Sequence, residues 1–344
     1  MKAARVHEPG KIVIEDVPVP ELEEKDILIK VHRAGICGTD VGVLHGYASA
    51  GYPVTLGHEF SGSIAKLGSS SLTDFKTGEP VVSAGGWGCG KCALCRQGRG
   101  LYCQHRVSLG RNADGCMAEF VKVDHRVVYR MPENISFDEA QNTVNIACSV
   151  RAFKKVPLLL GKTVAVFGPG NAGLIILQLL KMAGAYKAVM VGTRDFRLEM
   201  AKQFGANLAV NVKNENPVEA VLNWCPEGID LVVEASGKAD VLKDCIGVLK
   251  PGGSIVVFGI FSERLSDFDP SFLYYKEPAI YGSKGADGTF NEALQLMEEK
   301  KLQILPMITH RFPLEETAAA FKVFEDKVPD ALRIVIEVAD EQFV

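Results

Sequence analysis

No stretch of this sequence is long and apolar enough to cross a bilayer. The most apolar segment, Leu174 to Ala185, is interrupted by Gln178 and Lys181 and falls short of the about 20 residues a membrane helix needs. The start, Met1-Lys2-Ala3-Ala4-Arg5-Val6-His7-Glu8-Pro9-Gly10, lacks the apolar core of a signal peptide, so a reducing, cytoplasmic setting is expected. An excess of basic charge is also missing. Lys and Arg total 38 against 42 Asp and Glu, a net charge of −4, which removes the bulk electrostatic case for nucleic acid or an anionic membrane surface. Internal repeats and low-complexity segments are lacking too, and Ser69-Ser70-Ser71 reads as a turn rather than a linker.

What is present fits a two-domain globular protein. The 344 residues suffice for two cores, and the chain is 47% hydrophobic and 23% charged. Its first third reads as short strands broken by Gly, Pro and charged residues: Ile12–Ile14, Ile27–Val31, Val54–Leu56, Gly62–Ala65, Pro80–Val82 and Glu119–Val123. That pattern predicts an irregular, barrel-like β domain carrying loops. Near Ala152 the texture changes. Thr163–Phe167, Ala188–Val191, Leu208–Asn211, Leu231–Ala235 and Gly253–Gly259 are apolar strands separated by helical stretches. Such alternation predicts a parallel sheet covered on both faces, hence an α/β fold. Helices are expected again near Phe290–Lys300 and Glu315–Phe324. The closing strand, Leu332–Ile336, has no helix–strand partner after it and is expected to rejoin the first domain.

Cysteine is concentrated rather than scattered. Four of the nine, Cys89, Cys92, Cys95 and Cys103, stand at gaps of two, two and seven residues. Thiols this close in a chain without secretory features point to metal before disulfides. Four thiolates make a closed tetrahedral zinc site, which holds a shape and leaves no position for chemistry.

Gly168-Pro169-Gly170-Asn171-Ala172-Gly173 follows a strand and opens a helix, the setting in which this glycine pattern marks a dinucleotide site. One glycine permits the turn, the next lets backbone approach the pyrophosphate, and the last lets helix pack on strand. The following strand ends at Gly192-Thr193-Arg194 instead of at an acid for the ribose 2′-hydroxyl. Gly192 leaves room, Thr193 offers a hydroxyl, and Arg194, with Arg197, suits a 2′-phosphate. NADP(H) is therefore expected over NAD(H), with Asp195 as the acid of the opposing reading. A second metal site is suggested by Cys37-Gly38-Thr39-Asp40 and Gly57-His58-Glu59, a thiol and an imidazole among tight glycine turns.

Taken together, these segments and Lys250-Pro251-Gly252-Gly253 resemble the medium-chain, zinc-dependent alcohol dehydrogenases, in particular the polyol, threonine and secondary-alcohol branches. The resemblance runs along the whole chain. It implies a GroES-like catalytic domain over residues 1–151 and 288–344, with a Rossmann domain inserted over 152–287. It also implies one catalytic and one structural zinc ion. Cys37 and His58 would be ligands of the catalytic zinc, Glu59 an exchanging or supporting ligand, and Thr39 the hydroxyl that touches the substrate oxygen. Arg333 is counted among the cofactor-binding residues.

Two positions depart from the family pattern. Relatives draw a third zinc ligand from the segment before the Rossmann domain, where this chain has Asn145-Ile146-Ala147-Cys148; Cys148 is the candidate, with Glu59 or water as the substitute. Gly42 stands where many relatives have a relay histidine, and His45 is the candidate for that role. Tyr47, Leu109, Asn112 and Phe261 are expected near the substrate. The expected activity is reversible hydride transfer between NADP(H) and a secondary alcohol: a polyol, sugar alcohol or amino alcohol. The substrate is thus a small alcohol or ketone, with no nucleic acid or membrane partner, and the enzyme is expected as a homodimer or homotetramer. Two other readings remain: a zinc-free quinone or enone reductase of the same fold, and a zinc-knot binding module with a cofactor-sensing domain.

Overall fold

The computed structural model describes residues 1–69, 72–156, 158–261, 263–326 and 328–339. Ser70 and Ser71, of the expected serine turn, lie outside the described residues. The chain divides into two units, Met1–Ala147 with Ala286–Val344, and Cys148–Gly285.

The first unit is built around the strand Asp26–Gly35. All but one of its ten residues are buried, because Ile27, Leu28, Ile29 and Val31 leave neither face polar. It pairs antiparallel with Phe60–Leu67, Phe120–Asp124 and Arg333–Glu337. Register shifts at Leu28/Ile29 and Val31/Arg33 bend it, as a strand that changes partners along its length requires. The closing strand does rejoin this unit: Arg333–Glu337 lies between Asp26–Gly35 and a parallel neighbour, Ile308–Pro313. Ile29, Val31, Leu56, Phe60, Ile64, Phe321, Ile334 and Ile336 share the core beneath.

Pairing also sets the position of the candidate ligands. Ala34 stands opposite Phe60, so the end of one strand meets the start of the other. Cys37 follows the first of these strands and His58-Glu59 precedes the second, and both therefore emerge at the same end of the strand pair. Gly35 N donates to Glu59 O at 2.8 Å and extends the pairing to that end.

The second unit carries a six-stranded parallel sheet in the order Leu208–Asn211, Lys187–Gly192, Thr163–Phe167, Ile229–Glu234, Leu249–Val257, Ala279–Gly282. Helix Asn171–Met182 buries every residue from Gly173 to Leu180, Gln178 included, as expected from a helix apolar nearly all round. The order of strands reverses beside Thr163–Phe167. The carboxyl ends of this strand and of Ile229–Glu234 therefore flank the switch point where doubly wound sheets bind ligands.

Candidate active site

Helix Gly38–Leu44 begins where the strand Asp26–Gly35 has ended, with Cys37 as its N-cap residue. No apolar period marks this helix in the sequence; a local bond starts it. Asp40 Oδ2 accepts the Cys37 backbone N–H at 2.9 Å. The other oxygen, Oδ1, lies 3.0 Å from His58 Nδ1. One buried carboxylate thus holds both halves of the site. With Nδ1 engaged, His58 presents Nε2, which lies 3.7 Å from Glu59 Oε1. Cys37 Sγ, a His58 ring nitrogen and a Glu59 carboxylate oxygen all fall within 4.8 Å of one another. Gly57 makes the approach possible. It has φ +94°, and a Cβ there would stand 2.8 Å from Cys116 Sγ.

Burial governs the electrostatics. It pushes the Cys37 thiol above its usual range, with the Glu59 charge adding to the effect. For His58 burial acts to lower the pKa, but Asp40 overrides it and the imidazole is held well above its usual range. Glu59 is kept low against burial by Arg333, whose Nη1 donates to Oε2 at 2.6 Å. Both members of that pair are 2% exposed. Arg333 also donates to Ile36 O at 3.2 Å and to Gln141 Oε1 through Nε at 2.9 Å. Gly35 leaves the space this guanidinium occupies, since a Cβ there would fall 1.7 Å from Nη2. Thiol, imidazole and carboxylate, two of them held by partners on their far side, form a donor set that fits zinc.

The four clustered cysteines come together as a second group, their sulfurs also within 4.8 Å of one another. Cys92 and Cys103 are 3.8 Å apart, Cys89 and Cys95 4.0 Å. Cys103 Sγ accepts N–H bonds from Cys89 and His105 at 3.4 and 3.3 Å. Backbone amides of Lys91 and Cys92 hold the Cys89 thiol down to about 6, so it is available as thiolate near neutral pH. This donor set likewise fits zinc, with every position filled by protein. The lobe is anchored by Asp287, which accepts the Leu101 N–H and lies 3.7 Å from Arg106.

In the second unit Gly168 has φ +112°, and a Cβ there would sit 2.8 Å from Ser236 N. At Gly173 a Cβ would sit 1.9 Å from Gly168 O, so both positions demand glycine. Gly170 is the N-cap of Asn171–Met182 and places no side chain over the first turn of that helix. The start of a helix suits a pyrophosphate. Past Gly192, Thr193 is exposed while Arg194 and Arg197 are half-buried. Burial lowers both guanidiniums, Arg197 to about 9 with the Arg194 charge contributing. Asp195 turns instead to Asn211, whose Nδ2 donates to it at 2.7 Å.

Comparison with known proteins agrees with this geometry. Residues 23–133 match the family described as alcohol dehydrogenase GroES-like domain, and residues 172–299 that described as zinc-binding dehydrogenase. The chain is 32% identical to D-arabitol-phosphate dehydrogenase of Enterococcus avium over 100% of its own length and 99% of the relative's. This chain belongs to the zinc-dependent medium-chain alcohol dehydrogenases. It is also 33% identical to L-threonine 3-dehydrogenase of Legionella pneumophila (strain Corby), over 92% of this chain and 94% of that one. A crystal structure assigned to a zinc-binding dehydrogenase of Sinorhizobium meliloti 1021, bound to NADP, superposes with a TM-score of 0.92 at 28% identity, covering 98% and 99% of the two chains.

The dehydrogenase brings some of the expected site residues together and leaves others apart. Thr39 Oγ1 lies 3.7 Å from Cys37 Sγ, beside the donor group. His45 ends helix Gly38–Leu44, pairs with Glu325 and is about one-third exposed. Among the described residues the converging group is Cys37, His58 and Glu59, all in the first unit; Cys148 lies on helix Thr143–Phe153, where the second unit begins. Arg333, expected at the cofactor, is buried in the first unit against Glu59 and Gln141. Tyr47 is 82% exposed whereas Leu109 is a core residue at 2%, and Asn112 bonds its own turn at Ser108 and Arg106. Gln141 escapes sequence reasoning altogether: 192 residues separate it from Arg333, and no motif connects them.

Proposed function

We propose that this dehydrogenase holds two zinc ions, at Cys37, His58 and Glu59 and at the four clustered cysteines, and interconverts secondary alcohols and ketones using NADP(H). Polyols, sugar alcohols and amino alcohols are the substrate class. The observation that carries the reading is the convergence of Cys37, His58 and Glu59 within 4.8 Å, with Asp40 and Arg333 supporting them from behind. When bound, zinc supplies Lewis acidity to the alcohol oxygen and nicotinamide accepts the hydride. Asp40 accepts the His58 Nδ1–H and so would leave Nε2 free to hold a metal ion. Arg333 neutralises Glu59 and lets a carboxylate remain charged in a buried site. Thr39 takes the alcohol proton. Between it and His45 lies most of a short helix, about 9 Å of rise, so a proton travelling to His45 needs an intervening hydroxyl or water.

The NADP preference is supported by Arg194 and Arg197 at the end of strand Lys187–Gly192, and by the engagement of Asp195 with Asn211. Arg194→Ala is expected to lower kcat/KM for NADP+ by at least about tenfold, the scale of one charge-assisted bond, while that for NAD+ changes little. A wild-type kcat/KM higher with NAD+ than with NADP+ would overturn the preference. Metal analysis separates the zinc readings. About two zinc ions per chain are expected, falling to about one in Cys92→Ser, together with loss of order in the Cys89–Cys103 lobe. A wild-type count of one would favour the reductase that lacks catalytic zinc.

A further inference from the structure

Glu234 is the last residue of the strand Ile229–Glu234 and has no solvent exposure. Its Oε1 accepts three bonds from the loop that follows: Ser236 N at 2.7 Å, Ser236 Oγ at 2.5 Å and Gly237 N at 3.0 Å. Oε2 is buried and has no partner among the described residues. A buried carboxylate with an idle oxygen costs free energy, so packing alone does not account for the residue. What it holds does. The Ala235 N–H donates to Phe167 O at 2.8 Å, and a Cβ at Gly168 would stand 2.8 Å from Ser236 N. On the other side, a Cβ at Gly259 would stand 2.4 Å from Gly237 N and 2.5 Å from Oε2. The loops after three neighbouring strands therefore meet around this one side chain.

These loops lie at the switch point of the sheet. A dinucleotide fold has two mononucleotide-binding halves that meet there. Gly192-Thr193-Arg194 belongs to the half that takes the adenosine, and the loop Ala235 to Lys238 opens the other half. We infer that Glu234 is a positioning residue for the nicotinamide half of the cofactor, acting through the Ser236-Gly237 backbone. The inference rests on the dinucleotide reading of the Gly168 turn. It does not depend on which of the two coenzymes is preferred.

Two variants and two ligands test it by equilibrium titration of the zinc-loaded protein. Glu234→Asp keeps the charge but withdraws the carboxylate from the loop. It is expected to raise the Kd for NADPH about tenfold, as the loss of bonds to a charged acceptor does. Adenosine 2′,5′-bisphosphate, which lacks the nicotinamide half, should bind this variant within about twofold of wild type. Glu234→Gln keeps reach and acceptor without charge, and a smaller loss of about two- to threefold for NADPH is expected. This variant carries the comparison if Glu234→Asp does not fold. Equal weakening of both ligands, or NADPH binding unchanged in both variants, overturns the inference. Should wild type prefer NADH, the Arg194 reading fails, and NADH with adenosine monophosphate makes the same comparison for Glu234. A wild type that binds neither coenzyme overturns the dinucleotide reading and this inference with it.

Discussion

Cys37→Ala is expected to abolish alcohol oxidation while NADPH binding stays at its wild-type strength. Cys37 supplies the sulfur of a three-residue donor group, and alanine leaves only His58 and Glu59 of that group. Altering a residue that merely orients a metal ligand already costs 10–100-fold in affinity or activity, so removing a ligand should exceed about 100-fold. The coenzyme side is untouched because the Gly168 turn and Arg194 belong to the other unit of the chain. Metal analysis should show a loss of about one zinc ion per chain, with the four-cysteine site still filled. Two measurements are decisive, turnover with a broad panel of secondary alcohols and fluorescence titration of NADPH. Normal turnover with unchanged metal content would sink the assignment of a catalytic metal to Cys37.

Arg333→Met is expected to destabilise the protein more than any other single change in the site. Arg333 and Glu59 are both 2% exposed, and methionine fills much of the same volume while removing the cation that donates to Glu59 Oε2. Breaking a buried pair from one side costs roughly 3–5 kcal/mol, because the remaining charge is stranded. In a domain of this size that lowers the midpoint of thermal unfolding by roughly 6–20 °C. The double variant Arg333→Met/Glu59→Gln should recover most of the loss, since no stranded charge remains and neutral replacements of buried pairs are often tolerated. Thermal unfolding of the two proteins checks this. If Arg333→Met unfolds at the wild-type temperature and shows only weaker coenzyme binding, Arg333 is a cofactor residue and not the support of Glu59.

The parts of this dehydrogenase that were legible in the sequence are those in which function is written into short segments. Cys89 to Cys103 needs only loop closure over fourteen positions to bring its sulfurs together, so spacing alone predicts the site. The Gly168 turn is local in the same way, as Gly173 packs on Gly168 O within one turn of helix. Strand and helix alternation from Thr163 to Val257 is likewise periodic, and the parallel sheet follows from it. Resemblance to a family extended the reading to Cys37 and His58, two positions that periodicity cannot connect.

Other features depended on contacts between distant parts of the chain. Arg333 reads as a basic residue on a terminal strand and was expected at the cofactor; only the pairing of its strand with Asp26–Gly35 places it against Glu59. Cys148 is the candidate third ligand by sequence distance, whereas the group that converges within the first unit is Cys37, His58 and Glu59. Helix direction and strand register decide such questions, and neither is encoded by the identity of one residue. Glu234 shows the same limit within a single unit: its partners at Ser236 and Gly237 are near in sequence, but the neighbours that give it meaning, Gly168 and Gly259, are brought there by the order of strands. By itself the sequence determined the fold class and the four-thiol site, which periodicity and local spacing carry, and its motifs resembled the family closely enough to point to it. Which side chains stand behind Cys37, His58 and Glu59 was decided by tertiary structure, because a buried charge is held by whichever partner the packing of distant strands delivers.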